Sequence, residues 1–196
     1  SIRGVLERAS ARETAVRVAA GALCKQLLAE FGIVVFGYVT QLEQIPTKPR
    51  EGTLDELKTL RDASPMCTLD PDADKQIVAR VDQAIAQGDT LGGLVEVKVF
   101  HPPFGLGSHA QCDCKLDGLL AQSVMSIQAI KGVEIGLGFE AARRPGSQVH
   151  DEIAFDPSQT ADPTLGYVRR TNNAGGLEAG MTNGQPIVVR AAMKPI

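Results

Sequence analysis

Residues 33–43 read Ile33-Val34-Val35-Phe36-Gly37-Tyr38-Val39-Thr40-Gln41-Leu42-Glu43. Val34, Val35, Phe36, Tyr38 and Val39 all favour the extended backbone, because branched and aromatic side chains pack well on a pleated surface. The run is strand-sized, and its apolar part, Ile33 to Val39, falls far short of the ~20 residues needed to cross a bilayer. Gly32 stands immediately before it, a residue that commonly closes a helix. A helix therefore passes directly into a strand at this point, and the organisation of the rest follows from that junction.

Upstream, Val5, Leu6, Ala9, Val16, Ala19, Ala20, Leu23, Leu27 and Leu28 recur at three- and four-residue steps, which predicts a helix over 3–31. The small alanines within it let a neighbour approach closely, so a buried helix is expected. Downstream, Pro46 to Arg50 reads as a loop, and Thr53 caps a short helix. Asp70 to Asp74 is an acidic turn leading into a helix over 75–87, with Ile77, Val78, Val81 and Ile85 on one face and Gly88 at its end. A strand is predicted over 93–100, a loop over 102–114, an apolar helix over 116–130 and a strand over 132–139. Residues 145–166 form a long polar excursion. Residues 165–170 are expected to pair with a last strand over 187–192, across a glycine-dense turn. Helices and strands alternate irregularly and several strands are joined without helices, which makes the fold class α+β rather than a doubly wound parallel sheet.

The 196 residues are 43% hydrophobic and 22% charged, with a net charge of −3. One domain with an ordinary core fits these figures, and a disordered tail does not. An isoelectric point near 5.6 lacks the positive field that phosphate backbones select, and 6 Phe, 2 Tyr and no Trp make a poor base-stacking platform. No nucleic-acid partner and no membrane association are therefore expected. The beginning of the chain shows no signal-peptide pattern, and the spacing of Cys24, Cys67, Cys112 and Cys114 does not suggest a secreted disulfide framework, so a cytoplasmic location is expected. The chain opens without methionine and stops just after a strand-like run, and it reads as cut at both ends.

Three groups of residues could carry chemistry. Arg8 and Arg12 lie four apart, so a continuous helix would put both guanidinium groups on one face beside the small Ala9, Ser10 and Ala11. That arrangement suits a planar or phosphorylated ligand, or equally a solvated face of Glu–Arg pairs. The stretch Gly175 to Gly184, preceded by Arg169 and Arg170, could wrap a ligand with its backbone amides. The Asn183-Gly184 pair in it could equally mark a plain hairpin. His109, Cys112 and Cys114 lack the spacing and the fourth ligand of a zinc site, and no metal is expected. Cys24 reads as core and Cys67 as a free thiol. His101, His109 and His150 are isolated, although His150-Asp151-Glu152 could serve acid–base work. Arg143 and Arg144 could hold an anion or simply be exposed.

Several blocks resemble those of chorismate synthases, in that family's order along essentially the whole chain. They are Glu7 to Ala15 with Val18 to Ala22, Asp89 to Gly93, Lys115 to Asp117, Met125 to Gly136, Gly138 to Arg143, Gly146-Ser147, His150 to Glu152, Thr171 to Gly176, Met181 to Pro186 and Ala192 to Ile196. The resemblance implies a β-α-β sandwich with helices between antiparallel sheets, incomplete in this chain, whose residues 1–196 are the central part of one domain. It implies a carbon–oxygen lyase of the shikimate pathway, converting 5-enolpyruvylshikimate 3-phosphate to chorismate and phosphate by anti-1,4-elimination. Reduced FMN is the implied cofactor, with NADPH only where the intact enzyme reduces its own flavin, and a homotetramer is the implied assembly.

Carried over position by position, the flavin contacts fall on Arg8, Ala9 and Ser10, on Gln128 and Ala129, on Ala179 and Gly180, and on Lys194, Pro195 and Ile196. Ser10 becomes the catalytic hydroxyl, and Arg8 and Arg12 the partners of a flavin phosphate or substrate anion. Two departures stand out. Ala179 occupies a position where the family usually has glycine. The family's terminal segments, which bear two catalytic histidines, substrate-binding arginines and a catalytic aspartate, are not in these residues. The chain by itself is therefore expected to be inactive. The alternative is a non-catalytic remnant of the same fold that binds flavin or an anion, or serves oligomerisation.

Overall fold

The computed structural model describes residues 1–10, 12–162 and 164–196. The helix expected over 3–31 is two helices, α1 (Ile2–Ala9) and α2 (Arg12–Glu30). α2 ends as its sequence predicts. Gly32 takes a left-handed φ of 73°, and the Gly32 and Ile33 N–H groups donate to the carbonyls of Ala29 and Leu28, the paired bonds of a Schellman motif.

The chain then enters β1 (Val34–Leu42), turns into the two-residue β2 (Ile45–Pro46), and passes through α3 (Leu54–Ala63) and α4 (Pro71–Gln87) to β3 (Gly93–Phe100). A loop leads to α5 (Leu116–Met125) and β4 (Ile130–Ile135). Two short hairpins follow, β5 (Ile153–Phe155) with β6 (Tyr167–Arg169) and β7 (Leu177–Glu178) with β8 (Met181–Thr182), before β9 (Ile187–Met193). β2, β1, β3, β9 and β4 form one antiparallel five-stranded sheet in that order. The α+β class and the antiparallel pairing are as the sequence suggests.

Side chains alternate across this sheet, and each face packs on a helix. On one face Phe36 and Tyr38 are buried with Leu57 of α3 and with Leu69. On the other, Ile187 and Val189 of β9 are buried with Leu177 and packed by Leu116, Leu120 and Val124 of α5. The register Tyr38↔Glu96↔Arg190↔Glu134 sets a polar row across the α3 face. There the Tyr38 hydroxyl donates to Glu96, and Arg190 pairs with both Glu96 and Glu134.

α3 opens with the capping box that Thr53 predicts, Thr53 and Glu56 each satisfying the other's backbone N–H. α4 starts earlier than expected, because Pro71 occupies its first turn and Asp70 caps it, accepting from the N–H groups of Asp72 and Ala73. Asp70 is buried and also accepts the Lys48 N–H at 2.9 Å. That bond, opposed by burial and reinforced by the two cap bonds and the Lys48 charge, holds the carboxyl below its usual range. Replacing Asp70 by Ala should cost about 2 kcal/mol, from the lost cap and the orphaned Lys48 amide. A lowered folded pKa gives stability that is full above the unfolded value near ~4 and is lost as pH falls through the folded one. Urea unfolding should therefore separate D70A from wild type at pH 7, and by less at a pH below the carboxyl's lowered folded value. An equal gap at both pH values would refute the assignment.

Four expectations change. The helix expected to be buried is not, since Val16, Val18, Leu23, Leu27 and Phe31 are 62–72% exposed. α2 carries apolar residues around its whole circumference, a pattern that suits an interior position, yet the described residues cover little of it. Cys24 on α2 is exposed for the same reason. Residues 165–170 do not pair with the last strand, because β6 pairs with β5 and β9 is flanked on both sides by β3 and β4. α5 stops at Met125, and the chain reverses through Ala129, at a left-handed φ of 69°, so that β4 starts at Ile130 and ends at Ile135, where the sequence suggests 132–139.

Candidate functional site

The break between α1 and α2 is a local consequence of Ser10. Its backbone is extended, φ −102° and ψ 170°, its hydroxyl oxygen accepts the Arg12 N–H at 3.3 Å, and its carbonyl accepts the Glu13 N–H at 3.2 Å. Serine in this conformation caps a helix start well, since its side-chain oxygen replaces a missing backbone acceptor. Arg8 consequently sits in the last turn of α1 and Arg12 in the first turn of α2, rather than on one face of a continuous helix. Ala11, between them, lies outside the described residues. Among the described residues the Arg8, Arg12 and Arg50 guanidinium groups have no hydrogen-bond or ion-pair partner, whereas Arg3, Arg17, Arg61, Arg80, Arg143, Arg144, Arg169, Arg170 and Arg190 all pair with carboxylates. Two unspent cations flank the positive end of a 19-residue helix, an arrangement suited to an anion.

A second segment is fastened to this junction. The Gln128 amide nitrogen donates to the Arg8 carbonyl at 3.3 Å and to Glu13 Oε2 at 2.5 Å, and its oxygen accepts from the Thr14 hydroxyl at 3.1 Å. Arg17 donates to the Ser126 hydroxyl at 2.7 Å and pairs with Glu13 at 3.1 Å. The Gln128 bond first, and then Arg17, hold the Glu13 carboxyl below its usual range. The Ala129 carbonyl in turn accepts the Lys194 N–H at 2.9 Å. Gly92 packs beneath this last segment, and a Cβ there would lie 2.6 Å from the Met193 carbonyl oxygen. Arg8 to Ser10, Arg12, Gln128-Ala129 and Lys194, far apart in sequence, thus form one cluster, with Pro195 and Ile196 exposed just beyond it.

Ala179 and Gly180 lie elsewhere. They form the two-residue turn of the β7–β8 hairpin, at φ 52° and 82°, the signs a type I′ turn requires. The Gly180 carbonyl accepts the Leu116 N–H at 2.9 Å, which seats this turn at the start of α5, whereas Gln128 lies just past its end, about 15 Å away along the helix. The methyl group of Ala179 in this left-handed turn costs about 1 kcal/mol relative to glycine. Ala179→Gly should therefore raise the urea midpoint, with a gain of roughly 1 kcal/mol at most. A loss of stability would show that the methyl group makes a compensating contact.

The remaining expected sites find partners within the chain. Asp151 accepts from the Thr171 hydroxyl at 2.5 Å and from the Asn173 and Ala174 N–H groups at 2.7 and 2.9 Å. Burial opposes ionisation of its carboxyl, but these bonds and the Arg169 charge outweigh it and hold the pKa below the usual range. Asp151 therefore pins the 171–174 loop, and the demand of that loop's free N–H groups for an acceptor is the sequence signal that points to it. Gly175 meets the backbone of Gly136, and Gly176 that of Pro186, so these glycines serve close packing inside the protein. Asn183-Gly184 is not the hairpin turn, because Asn183 instead accepts the Gln185 N–H and donates to Glu178. Arg143 and Arg144 both pair with Glu140. His101 lines a cavity of about 910 Å³ between Phe31, Phe104 and Arg169, and His150 lines a smaller one beside Asp151. Cys67, Cys112 and Cys114 are exposed thiols.

The sequence model of the chorismate synthase family matches residues 1–196. The chain is 57% identical over 196 residues to a chorismate synthase of Geobacter metallireducens, covering all of this chain and 50% of that protein. It is 56% identical over 195 residues to one of Brevibacillus brevis, covering 49% of it. A crystal structure of a chorismate synthase superposes with a TM-score of 0.90 at 48% identity, over the whole chain and 59% of that structure. The chain spans about half the length of the curated relatives it matches.

Proposed function

Because the chain belongs to the chorismate synthase family, we propose that residues 1–196 are the central part of an enzyme that converts 5-enolpyruvylshikimate 3-phosphate to chorismate and phosphate by anti-1,4-elimination. We take its cofactor to be reduced FMN, with NADPH needed only if the intact enzyme reduces its own flavin, and its working form to be a cytoplasmic homotetramer. The observation that carries this proposal is the cluster of Arg8 to Ser10, Arg12, Gln128-Ala129 and Lys194, in which two guanidinium groups are left without partners among the described residues.

The residues present fit such a cofactor. Unspent Arg8 and Arg12 beside the start of α2 are the donors a flavin phosphate or a substrate phosphate needs. When bound, reduced FMN supplies electron density as the phosphate leaves. Arg8 and Arg12 then neutralise charge on the anions they meet and hold them in place. The Ser10 oxygen already accepts the Arg12 N–H, so its hydroxyl proton is free to donate toward a ligand. Gln128 and Ala129 supply the opposing wall, and Lys194 a third cation.

No histidine lies in this cluster, since His101 and His150 line other cavities and His109 belongs to the exposed loop before α5. As the family resemblance implies histidines in the terminal segments for this role, we take the acid and base of the elimination to come from outside these residues. The 196-residue chain alone should release no phosphate from 5-enolpyruvylshikimate 3-phosphate with reduced FMN. The protein extended to the full length of its relatives should do so and yield chorismate. A folded full-length protein that forms no chorismate would overturn the proposal.

A further inference from the structure

We infer that Glu13 is a positioning residue of this site, acting through the side chain of Gln128, an inference that rests on the flavin-binding role proposed above. Every polar atom of the Gln128 side chain is engaged inward. Its nitrogen spends both hydrogens, on the Arg8 carbonyl and Glu13 Oε2, and its oxygen accepts from Thr14. A ligand at Gln128-Ala129 therefore meets main chain, and among the described residues the N–H groups of Gln128 and Ala129 donate to nothing. The placement of those two amides depends on what holds the Gln128 side chain.

The charged acceptor in that arrangement is Glu13. Its 2.5 Å bond to Gln128 is charge-assisted and is the shorter of the two that the amide nitrogen makes, whereas the Arg8 carbonyl accepts at 3.3 Å. Charge-assisted bonds are roughly twice as strong as neutral ones. Arg17 pairs with Glu13 at 3.1 Å and also donates to Ser126, two residues before Gln128, and the Arg8 charge acts on the same carboxyl from farther off. Glu13 thus faces the 126–129 loop by two routes and sits one residue after Arg12. It fixes the distance between the cations of the α1–α2 break and the free amides of Gln128 and Ala129 without itself reaching the ligand.

The test uses the full-length protein and oxidised and reduced FMN, with Glu13→Ala, Glu13→Gln and Phe36→Leu, the last a destabilised control remote from the cluster. Glu13→Ala should weaken FMN binding tenfold or more. Glu13→Gln keeps an oxygen for the Gln128 amide but loses the charge and the Arg17 pair, so it should recover part of the binding and weaken it clearly less than Glu13→Ala. Phe36→Leu should bind FMN as wild type does. Wild-type binding with unchanged affinity in Glu13→Ala would overturn the positioning role and leave the flavin site standing. Equal weakening in Glu13→Ala and Glu13→Gln would overturn it as well, because the oxygen alone would then not suffice. If wild type binds no FMN, the flavin reading fails first and the positioning role falls with it.

Discussion

Replacing Arg8 and Arg12 together by Ala should weaken FMN binding to the full-length protein by a factor of roughly a hundred or more. A hydrogen bond to a charged group contributes about 1.5–3 kcal/mol, so two contribute at least ~3 kcal/mol, and 1.4 kcal/mol is tenfold in affinity. The loss should come without loss of fold, because neither guanidinium has a protein partner among the described residues and both side chains are exposed. Fluorescence titration of FMN measures the first effect, and urea unfolding the second. The single substitutions should each weaken binding by about tenfold, and raising salt should reduce the difference from wild type, as it does for exposed charges. Undiminished FMN binding in the double variant would remove these arginines from the site.

The largest expected change in stability lies at Phe36. Its ring is 1% exposed, packs on Tyr38 at 5.5 Å between centroids, and is covered by the Arg61 guanidinium at 4.8 Å. Leu57 and Leu69 close the cluster. Phe36→Ala removes the ring and leaves a cavity between β1 and α3, at a cost of about 3–5 kcal/mol. That is a large part of the 5–15 kcal/mol that usually separates folded from unfolded domains, and it should lower the melting temperature by about 10 °C. A shift of only a degree or two would mean that α3 collapses onto the sheet and refills the space.

The elements most legible in the sequence are those whose signals are local. β1 and β3 come out within two residues of their expected bounds because branched residues crowd both. The Thr53 box and the Gly32 and Gly88 helix ends follow from capping chemistry that acts over one turn. Periodicity could not show the break at Ser10, because apolar residues keep helical spacing across it and only the extended backbone and the cap bond separate α1 from α2. Nor could it show that β6 pairs with β5, since a three-residue strand carries too little pattern to choose a partner.

At the site the same division holds. The residues Arg8, Ser10, Gln128 and Lys194 are marked by family resemblance, and the structure brings them together. Glu13 escapes sequence reasoning because its partner Gln128 is 115 positions away and because Glu13-Arg17 looks like an ordinary i,i+4 pair. The apolar circumference of α2 points to burial, and in a chain about half the length of its relatives much of that surface stays exposed.

Amide hydrogen exchange of the full-length protein, with and without reduced FMN, tests the proposed flavin site most directly. We expect new protection at residues 8–14, 126–130 and 193–196, the three segments joined by Gln128 and Ala129. Protection that bypasses all three and appears instead around the 910 Å³ cavity of Phe31, Phe104 and Arg169 would contradict the assignment.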